Sequence, residues 1–301
     1  MTEMREGEKI KIENVKALTR DCVRIRDRDR VESIINLLVE GGKDKLQVIS
    51  DFDQTLTKQH CNGKRSMSSF GIFGECKQLP PSYKEKSQAL YKQYKPIEID
   101  PSLSKEQKIP FMIEWWDKAQ MLLSGFEFCC DEIDQVLQEV CPDLRTGSEE
   151  MFRSLMEADV PVLVFSAGVG DMVRAILRHH KVLHPNVHII SNFLDFKGSM
   201  LQGFKGSKGQ HIHTFNKNEH AIENSEYFKL ITGRNNVILM GDVVGDADMA
   251  EGVKDANAVL KIGFLYDQVE ENLDSYLDHF DVVLVDDQTM DVTNGLLSLI
   301  L

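Results

Sequence analysis

Short apolar runs alternate with helix-like stretches along most of the chain. The runs are rich in β-branched residues and apolar at successive positions, as in strands that are buried on both faces. They are Leu46–Asp51, Val160–Ser166, Val187–Ser191, Asn236–Asp242, Ala258–Gly263 and Asp281–Asp286. Helical spacing recurs between them, for example in Asp171–Arg178. The alternation predicts an α/β fold with a doubly wound parallel sheet.

One interval, residues 58–159, interrupts this rhythm. It contains no convincing buried strand, and at about a hundred residues it is too long for a crossover connection. Its helical patterns lie near Ser82–Tyr94, Ser104–Leu123, Asp131–Val140 and Ser148–Ala158. We therefore predict an inserted, mainly helical cap domain at 58–159, and a core made of residues 1–57 and 160–301. The core should begin with a helix from about Asn14 to Gly41, where an apolar stripe ends at paired glycines.

The composition limits which kinds of molecule the protein can bind. The 301 residues are 42% hydrophobic and carry a formal net charge of −13. Such a chain repels nucleic acid and anionic membranes unless a local basic patch overrides the field. The segment Arg24–Arg30 is basic, but its interleaved aspartates favour a solvated helix face over a nucleic-acid site. A phosphorylated small molecule remains an acceptable ligand if the site supplies its own positive charge.

The chain also lacks signals for secretion and for membrane insertion. Its first twenty residues have no apolar core of the signal-peptide kind, and no apolar run is long enough for a bilayer. The six cysteines show no paired metal-ligand spacing, so we predict reduced thiols. We expect a cytosolic monomer that binds neither a nucleic-acid polymer nor a membrane.

The first candidate for chemistry is a pair of carboxylates, Asp51 and Asp53, at the carboxyl end of the first apolar run. Ligands of open parallel sheets bind at this edge. Asp51 could attack a phosphorus atom, while Asp53 could protonate the leaving oxygen and later deprotonate water. Alone, the pair is weak evidence, and a solvated turn after a strand is the better explanation of it.

Three further signals strengthen this hypothesis. Ser166-Ala-Gly168 ends a second apolar run, where a hydroxyl and backbone N–H groups could hold phosphate oxygens. Asp242 and Asp246 follow a later run, and gathered carboxylates imply a hard cation such as Mg²⁺. Lys217 lies between these signals and could supply the positive charge, although a lone lysine is most often solvated surface.

Taken in order, these segments resemble the four motifs of the haloacid dehalogenase superfamily of phosphatases. Further segments resemble the cytosolic 5′-nucleotidases of type III over nearly the whole chain, and within them the form that also acts on 7-methylguanosine monophosphate. These segments are Asn62–Arg65, Ile97–Pro101, Met112–Trp116, Phe165–Gly168, Ser191–Phe196 and Gly203–Gly206.

The resemblance implies a role for each acidic residue. Asp51 would be the nucleophile and a Mg²⁺ ligand. Asp53 would be the acid and base, with its backbone carbonyl as a further ligand. Asp242 would bind the metal directly. Asp246 would hold the metal-binding residues in place without itself binding the metal, or it would orient Lys217.

The resemblance also implies a phosphate-binding group made of Ser166 and Lys217. The N–H groups around Phe52, Asp53 and Ala167 would assist them. Mg²⁺ and Lys217 would offset the repulsion between an aspartate and a phosphate dianion.

The inserted cap should recognise the base. We hypothesise that Trp116 and Phe73 sandwich it and that Trp115 faces the core, with Phe70 as the substitute if Phe73 points inward. Aromatic planes stack on any base, and a 7-methylated guanine is cationic and would add cation–π attraction. By resemblance Glu98 contacts the nucleoside; the alternative is a solvated glutamate before a turn.

The leading prediction is therefore an Mg²⁺-dependent 5′-nucleotidase. It would act on 7-methylguanosine monophosphate and on pyrimidine monophosphates such as CMP, with a phosphotransferase side activity. The alternatives are a phosphatase for another small phosphometabolite and a non-catalytic binder of methylated nucleotides. A scaffold role has only the charged amino-terminal helix in its favour.

Overall fold

A sheet of seven strands forms the centre of the protein, which is described here by a computed structural model. The structure describes residues 9–61, 63–100, 102–206, 210–217, 226–253 and 255–301. Asn62 and Pro101, which belong to two of the family-like segments, lie outside these ranges.

The strands of the described ranges are numbered in chain order. They are β1 (Val23–Arg24), β2 (Leu46–Ser50), β3 (His60–Cys61), β4 (Lys64–Arg65), β5 (Ser124–Glu127), β6 (Val162–Val169), β7 (Val187–Asn192), β8 (Leu194–Lys197), β9 (Met200–Phe204), β10 (Asn236–Gly241), β11 (Ala258–Leu265) and β12 (Val282–Val285).

The helices are numbered in the same way. They are α1 (Arg28–Lys45), α2 (Ser69–Phe73), α3 (Tyr83–Ile99), α4 (Lys105–Leu122), α5 (Asp131–Val140), α6 (Ser148–Glu157), α7 (Gly170–His179), α8 (Glu226–Leu230), α9 (Val269–His279) and α10 (Asp291–Ile300). Short 3₁₀ segments lie at Ile12–Asn14, Lys16–Thr19 and Val244–Asp248.

The central sheet has the strand order β1-β12-β11-β10-β2-β6-β7. All neighbours are parallel except β1, which pairs antiparallel with β12 at one edge. From β2 the chain adds strands on one side and then returns to β10 on the other. The carboxyl ends of β2 and β10 therefore flank the topological switch point, where open sheets bind ligands.

Both faces of the sheet are covered. Every residue of β2 and of β10 is buried. Val48 and Ile238 pack in an apolar cluster with helices α1, α6, α7 and α10, whereas Ile49 and Leu239 pack with α8 and α9 on the opposite face. The predicted doubly wound α/β core is confirmed.

The inserted segment is mainly helical, as predicted. Helices α3 and α4 pack on each other, and Ser104 begins α4 with a capping box completed by Gln107. The insert also contributes β5 to a three-stranded antiparallel sheet in the order β5-β9-β8. Strands β8 and β9 come from residues assigned by sequence to the core, so the insert is completed by chain that follows β7.

The end of the insert also differs from the sequence-based division. Met151, Phe152 and Leu155 of α6 belong to the same apolar cluster as Val48 and Val162 of the sheet. Helix α6 also packs against α10, a helix of the core. It therefore covers the core, although residues 58–159 were assigned to the cap. An apolar stripe identifies a helix without identifying the surface that covers it.

The amino-terminal segment departs from the single predicted helix. Two 3₁₀ segments and strand β1 precede α1, which begins at Arg28 with Asp27 accepting the Arg30 N–H at 2.9 Å. The predicted end at the paired glycines corresponds to a break at Gly42, whose φ is 58°. Arg26 pairs with Asp274 of α9, and Arg30 pairs with Asp281, which follows α9. Both arginine side chains are exposed, in agreement with the predicted solvated face.

None of the helices within the described ranges has the length and apolar character that crossing a bilayer requires. All six cysteines are free thiols.

Candidate active site

Asp51 follows the last residue of β2, at the switch point of the sheet. Its backbone N–H donates to the Met240 carbonyl of β10 at 3.0 Å, which extends the strand ladder by one residue. Its side chain is 8% exposed and accepts from Lys217 Nζ at 2.5 Å. Burial raises the pKa of Asp51 well above its usual range, although the attraction of Lys217 opposes this shift.

Lys217 is a buried cation held between two carboxylates. Its Nζ lies 2.5 Å from Asp51 Oδ1 and 2.6 Å from Asp246 Oδ1. Burial by itself would lower the pKa of Lys217, but Asp246 and Asp51 raise it above its ordinary value, so the ammonium stays charged. The sequence alternative of a solvated surface lysine is excluded.

Asp246 is fixed by the turn after β10. Its Oδ2 accepts the backbone N–H groups of Asp242 and Val243, each at 3.1 Å. This close approach requires glycine at position 241, because a Cβ there would lie 2.3 Å from the Cβ of Asp246. Asp246 therefore holds Lys217 with one oxygen and its own turn with the other.

Asp51, Asp242 and Asp246 form a carboxylate group, with one oxygen of each lying within 4.8 Å of the others. Burial, followed by the charge of Asp246, raises the pKa of Asp242 to about 7. Among the described residues, Lys217 is the cation that forms ion pairs with this group, and it contacts Asp51 and Asp246. The three carboxylates together therefore carry more negative charge than this one ammonium offsets. Oxygen donors in such a group fit Mg²⁺, and a cation would relieve the repulsion.

Asp53 points to the start of α2 in the insert. Its Oδ1 accepts the backbone N–H of Ser69 at 2.7 Å, and its Oδ2 accepts the Ser69 hydroxyl at 2.6 Å. Burial raises the pKa of Asp53, although both hydrogen bonds from Ser69 act in the opposite direction.

Ser166 and Ala167 lie near the end of β6, beside the acidic residues. The Ser166 hydroxyl is buried and accepts the Gly168 N–H at 3.0 Å. A Cβ at Gly168 would be 3.2 Å from Ser166 Oγ and 3.1 Å from Asp53 Oδ2, so Ser166 and Asp53 border the same small space. Ala167 packs against the apolar cluster that contains the tryptophans of α4, and its carbonyl accepts from Asn192 at 2.9 Å.

The two tryptophans of α4 have different surroundings. Trp115 stacks on Tyr94 of α3 at 5.8 Å with an interplanar angle of 14°, which places it in the packing of the insert. Trp116 lies 6.2 Å from Phe70, and its indole N–H is buried without a hydrogen-bond partner among the described residues. The apolar cluster of these tryptophans includes Phe215, close to Lys217 in the chain.

Phe73 does not reach this space. It is fully buried and packs on Phe128 at 5.4 Å and on Tyr83 at 6.2 Å between ring centroids. This burial contradicts the prediction that Phe73 forms a base sandwich with Trp116. The substitute, Phe70, is only partly buried, and its ring lies beside that of Trp116.

Glu98, near the carboxyl end of α3, joins the insert to the loop that carries Lys217. It accepts from the Thr214 hydroxyl at 2.6 Å and from Lys95. Burial raises the pKa of Glu98, but the charge and hydrogen bond of Lys95 outweigh this effect and lower it below its ordinary value. The alternative of a solvated glutamate is excluded, since the side chain is 10% exposed.

The structure also brings in residues to which sequence reasoning assigned no role. Thr55 Oγ1 donates to Asp242 Oδ1 at 3.3 Å, and the Tyr276 hydroxyl of α9 donates to the Asp242 carbonyl. Ser69 binds Asp53, as described above. Thr55 belongs to the first motif and could have been singled out, whereas Tyr276 and Ser69 have no local signal beyond an ordinary helical position.

Comparison with known proteins agrees with this fold. Residues 54–301 match the family described as pyrimidine 5′-nucleotidase (UMPH-1). A 7-methylguanosine phosphate-specific 5′-nucleotidase of Drosophila melanogaster is 49% identical over 296 residues, which cover 98% of this chain and 92% of the relative. The Homo sapiens protein of the same description is 47% identical over 290 residues, 96% of each chain.

A solved structure shares the whole fold. The crystal structure of cytosolic 5′-nucleotidase IIIB bound to cytidine superposes with a TM-score of 0.92 at 49% identity and covers 97% of both chains.

The switch-point site and these relatives define a hydrolase of the 5′-nucleotidase class. The chain belongs to the pyrimidine 5′-nucleotidase (UMPH-1) family, and the resemblance seen in the sequence is confirmed.

Proposed function

We propose that this chain hydrolyses nucleoside 5′-monophosphates with Mg²⁺, through a phospho-aspartate on Asp51. The proposed substrates are 7-methylguanosine monophosphate and pyrimidine monophosphates such as CMP. The descriptions of the relatives and of the cytidine-bound structure support this substrate class. The observation that carries the mechanism is the 2.5 Å contact of Lys217 with Asp51 beside the other carboxylates.

In the first half-reaction, a carboxylate oxygen of Asp51 forms a bond to phosphorus as the bond to the 5′-oxygen breaks. Lys217 orients Asp51 and neutralises charge on the phosphoryl oxygens. Ser166 and nearby backbone N–H groups hold those oxygens. Asp53 donates its proton to the 5′-oxygen, and the nucleoside leaves.

In the second half-reaction, Asp53 now acts as the base. It removes a proton from a water molecule as the water oxygen attacks phosphorus, and the bond to Asp51 breaks. Phosphate leaves, and Asp53 is protonated again. A nucleoside hydroxyl in place of water would give the proposed phosphotransferase side activity.

Asp51 and Asp242 would hold the metal, with the Asp53 carbonyl as a further ligand. When bound, Mg²⁺ would neutralise charge on the carboxylates and on the phosphate oxygens. Asp246 supports the site from behind, since its two oxygens are engaged with Lys217 and with the turn after β10.

We propose that Trp116 and Phe70 contact the base. Their 6.2 Å ring separation and 51° angle in this structure mean that the rings must reorient to take a base between them. Stacking is worth about 1–3 kcal/mol for each base. Glu98 is proposed to contact the nucleoside, and one of its present partners, Thr214 or Lys95, would then share it.

Two alternatives make different predictions. A phosphatase for another small phosphometabolite would show no preference for nucleotides. A non-catalytic binder of methylated nucleotides would have no need of a buried lysine between two carboxylates, which favours the enzyme. The monomeric state and the cytosolic location stay predictions; the solved relative is a cytosolic 5′-nucleotidase, which supports the location.

The test is phosphate release from a panel of nucleoside monophosphates and of unrelated phosphate esters, with Mg²⁺ and after chelation. We expect Asp51→Asn to lower kcat by at least about 10³-fold, since removal of a nucleophile costs this much or more. The variant should still bind the monophosphate in a calorimetric titration. Turnover by Asp51→Asn at the wild-type rate would reject the nucleophile, and equal rates on all esters would reject the nucleotidase.

The metal assignment has a readout that does not depend on activity. Mg²⁺ should raise the Tm of the wild-type protein, because a ligand that binds only the folded state stabilises it. Asp242→Asn should lose this rise and, without Mg²⁺, should be at least as stable as wild type, because one repelling charge is gone. An unchanged rise in Asp242→Asn would exclude Asp242 as a ligand.

A further inference from the structure

Ser69 makes two hydrogen bonds to one carboxylate. Its backbone N–H donates to Asp53 Oδ1 at 2.7 Å and its hydroxyl to Asp53 Oδ2 at 2.6 Å. Ser69 is fully buried, so water does not compete for Asp53 at this contact. The pair of contacts fixes both the position and the rotation of the Asp53 carboxyl group.

The backbone N–H and the hydroxyl of Ser69 place different limits on where Asp53 can carry a proton. A backbone N–H can only donate, so Oδ1 must remain an acceptor in every state of Asp53. The proton of a protonated Asp53 therefore belongs on Oδ2. A hydroxyl can donate or accept, so Ser69 Oγ can face Oδ2 with or without that proton by rotating its own hydrogen.

Oδ2 also faces the side on which the phosphate is proposed to bind. The Cβ position of Gly168 lies 3.1 Å from Asp53 Oδ2 and 3.2 Å from Ser166 Oγ. The oxygen selected to carry the proton thus borders the same space as the hydroxyl that is proposed to hold the phosphate.

Ser69 is well placed to link this group to the nucleoside. It is the first residue of α2, which the Ser68 hydroxyl caps by accepting the Gly71 N–H at 3.2 Å. The next residue, Phe70, contacts Trp116. The turn that holds the acid and base therefore also carries one of the aromatic rings proposed for the base.

We propose that Ser69 is the positioning residue for Asp53, holding Oδ2 as the oxygen that gives its proton to the leaving 5′-oxygen. This inference rests on the proposed function, in which Asp53 is the acid and base. When the bond between phosphorus and the 5′-oxygen breaks, its electron pair stays on oxygen and takes the Oδ2 proton, which leaves Asp53 ionised. Ser69 then donates to the ionised Oδ2, as in this structure.

The test compares Ser69→Ala with Ser68→Ala. The first removes the hydroxyl that holds Oδ2 and keeps the backbone N–H. The second removes the cap of the same helix and leaves the Asp53 contact in place, so it reports any effect of loosening α2. Ser69→Cys, which keeps the size of the side chain with a weaker donor, is measured in parallel and decides the test if Ser69→Ala does not fold.

Two substrates are used with each variant: CMP and its 5′-deoxy-5′-thio analogue, in which sulfur replaces the bridging oxygen. A thiolate leaves without a proton, so its release does not depend on a general acid. Nucleoside release is followed in a single turnover with enzyme in excess, and KM is measured for CMP.

We expect Ser69→Ala to slow release from CMP by about 10- to 100-fold, part of the effect of a general acid, with KM for CMP within about twofold of wild type. Release from the thio analogue should stay within about threefold of wild type, since no acid is needed. Ser68→Ala should leave the ratio of the two rates unchanged.

An equal loss of rate on both substrates in Ser69→Ala would overturn the proposal, because it would show a merely structural role. A wild-type rate of Ser69→Ala on CMP would also overturn it. A wild-type protein that releases no nucleoside from CMP would instead refute the proposed function itself.

Discussion

Gly168 illustrates how little space the site leaves around its reacting groups. A Cβ at this position would lie 1.9 Å from Ser69 Oγ, 3.1 Å from Asp53 Oδ2 and 3.2 Å from Ser166 Oγ. The glycine is needed for this close approach, and its backbone φ is not in the left-handed region. A single added methyl group would therefore act on three polar side chains of the site.

We expect Gly168→Ala to lower kcat by at least about tenfold and the free energy of unfolding by about 1–3 kcal/mol, the usual cost of overpacking. Gly71→Ala is the control, because its Cβ would have ordinary contacts, the nearest at 3.5 Å. The control should keep wild-type kcat and be as stable as wild type or more stable by up to about 1 kcal/mol. Steady-state kinetics measure kcat, and denaturant unfolding measures the free energy of unfolding. Full activity in Gly168→Ala would contradict the described packing.

Individual residues also show how much of the site the sequence could predict. Asp51, Ser166 and Asp242 each lie at the end of a buried apolar run, and the rule for parallel sheets predicts that such ends meet at one edge. Lys217 has no such position, and only its order among the other signals indicated it. Phe73 was assigned wrongly because a sequence does not show which phenylalanine of a short helix faces the core.

Among the secondary-structure elements, helix α4 connects the insert to the site. Its first residue, Lys105, lies 2.5 Å from Asp248, the last residue of the 3₁₀ segment Val244–Asp248 that contains Asp246. Both side chains are about one-third exposed, so the pair is worth only about 0.5–1 kcal/mol. Even this energy can help to hold the insert in the position that it has in this structure.

We therefore expect Lys105→Gln to raise KM by about two- to fivefold with little change in Tm, and added salt to reproduce the effect in the wild-type protein. A double-mutant cycle with Asp248→Asn should show that the two changes are not additive. Lys77→Gln, which removes an exposed ion pair with Glu139, is the control and should leave KM unchanged. Additive effects of the two changes would show that this contact does not hold the insert.

Across the whole molecule, the insert and the core share one apolar cluster. Phe73, Tyr83 and Phe128 of the insert belong to the same cluster as Val48 and Val164 of the sheet. The packing does not separate the chain at the predicted domain boundary, so unfolding of one part exposes the core of the other.

This continuity predicts a single cooperative unfolding transition for the metal-free protein, with equal calorimetric and van't Hoff enthalpies. Phe128→Ala, at a buried ring of the insert, should shift that one transition through a loss of about 3–5 kcal/mol. Phe111→Ala should have little effect, because this side chain is 41% exposed. Two separate transitions, with Phe128→Ala affecting only one, would show that the insert is independently stable.

By itself the sequence determined the strands of the parallel sheet, most helices and the strand-end carboxylates, since these follow from local periodicity and from a general rule about sheet edges. Only the tertiary structure decided the edge strand β1, the pairing of β5 with β9, the hold of Ser69 on Asp53 and the burial of Phe73. These features join residues far apart in the chain or depend on which face of a helix is covered. No local pattern encodes such contacts, because their energy exists only when the partner surface is in place.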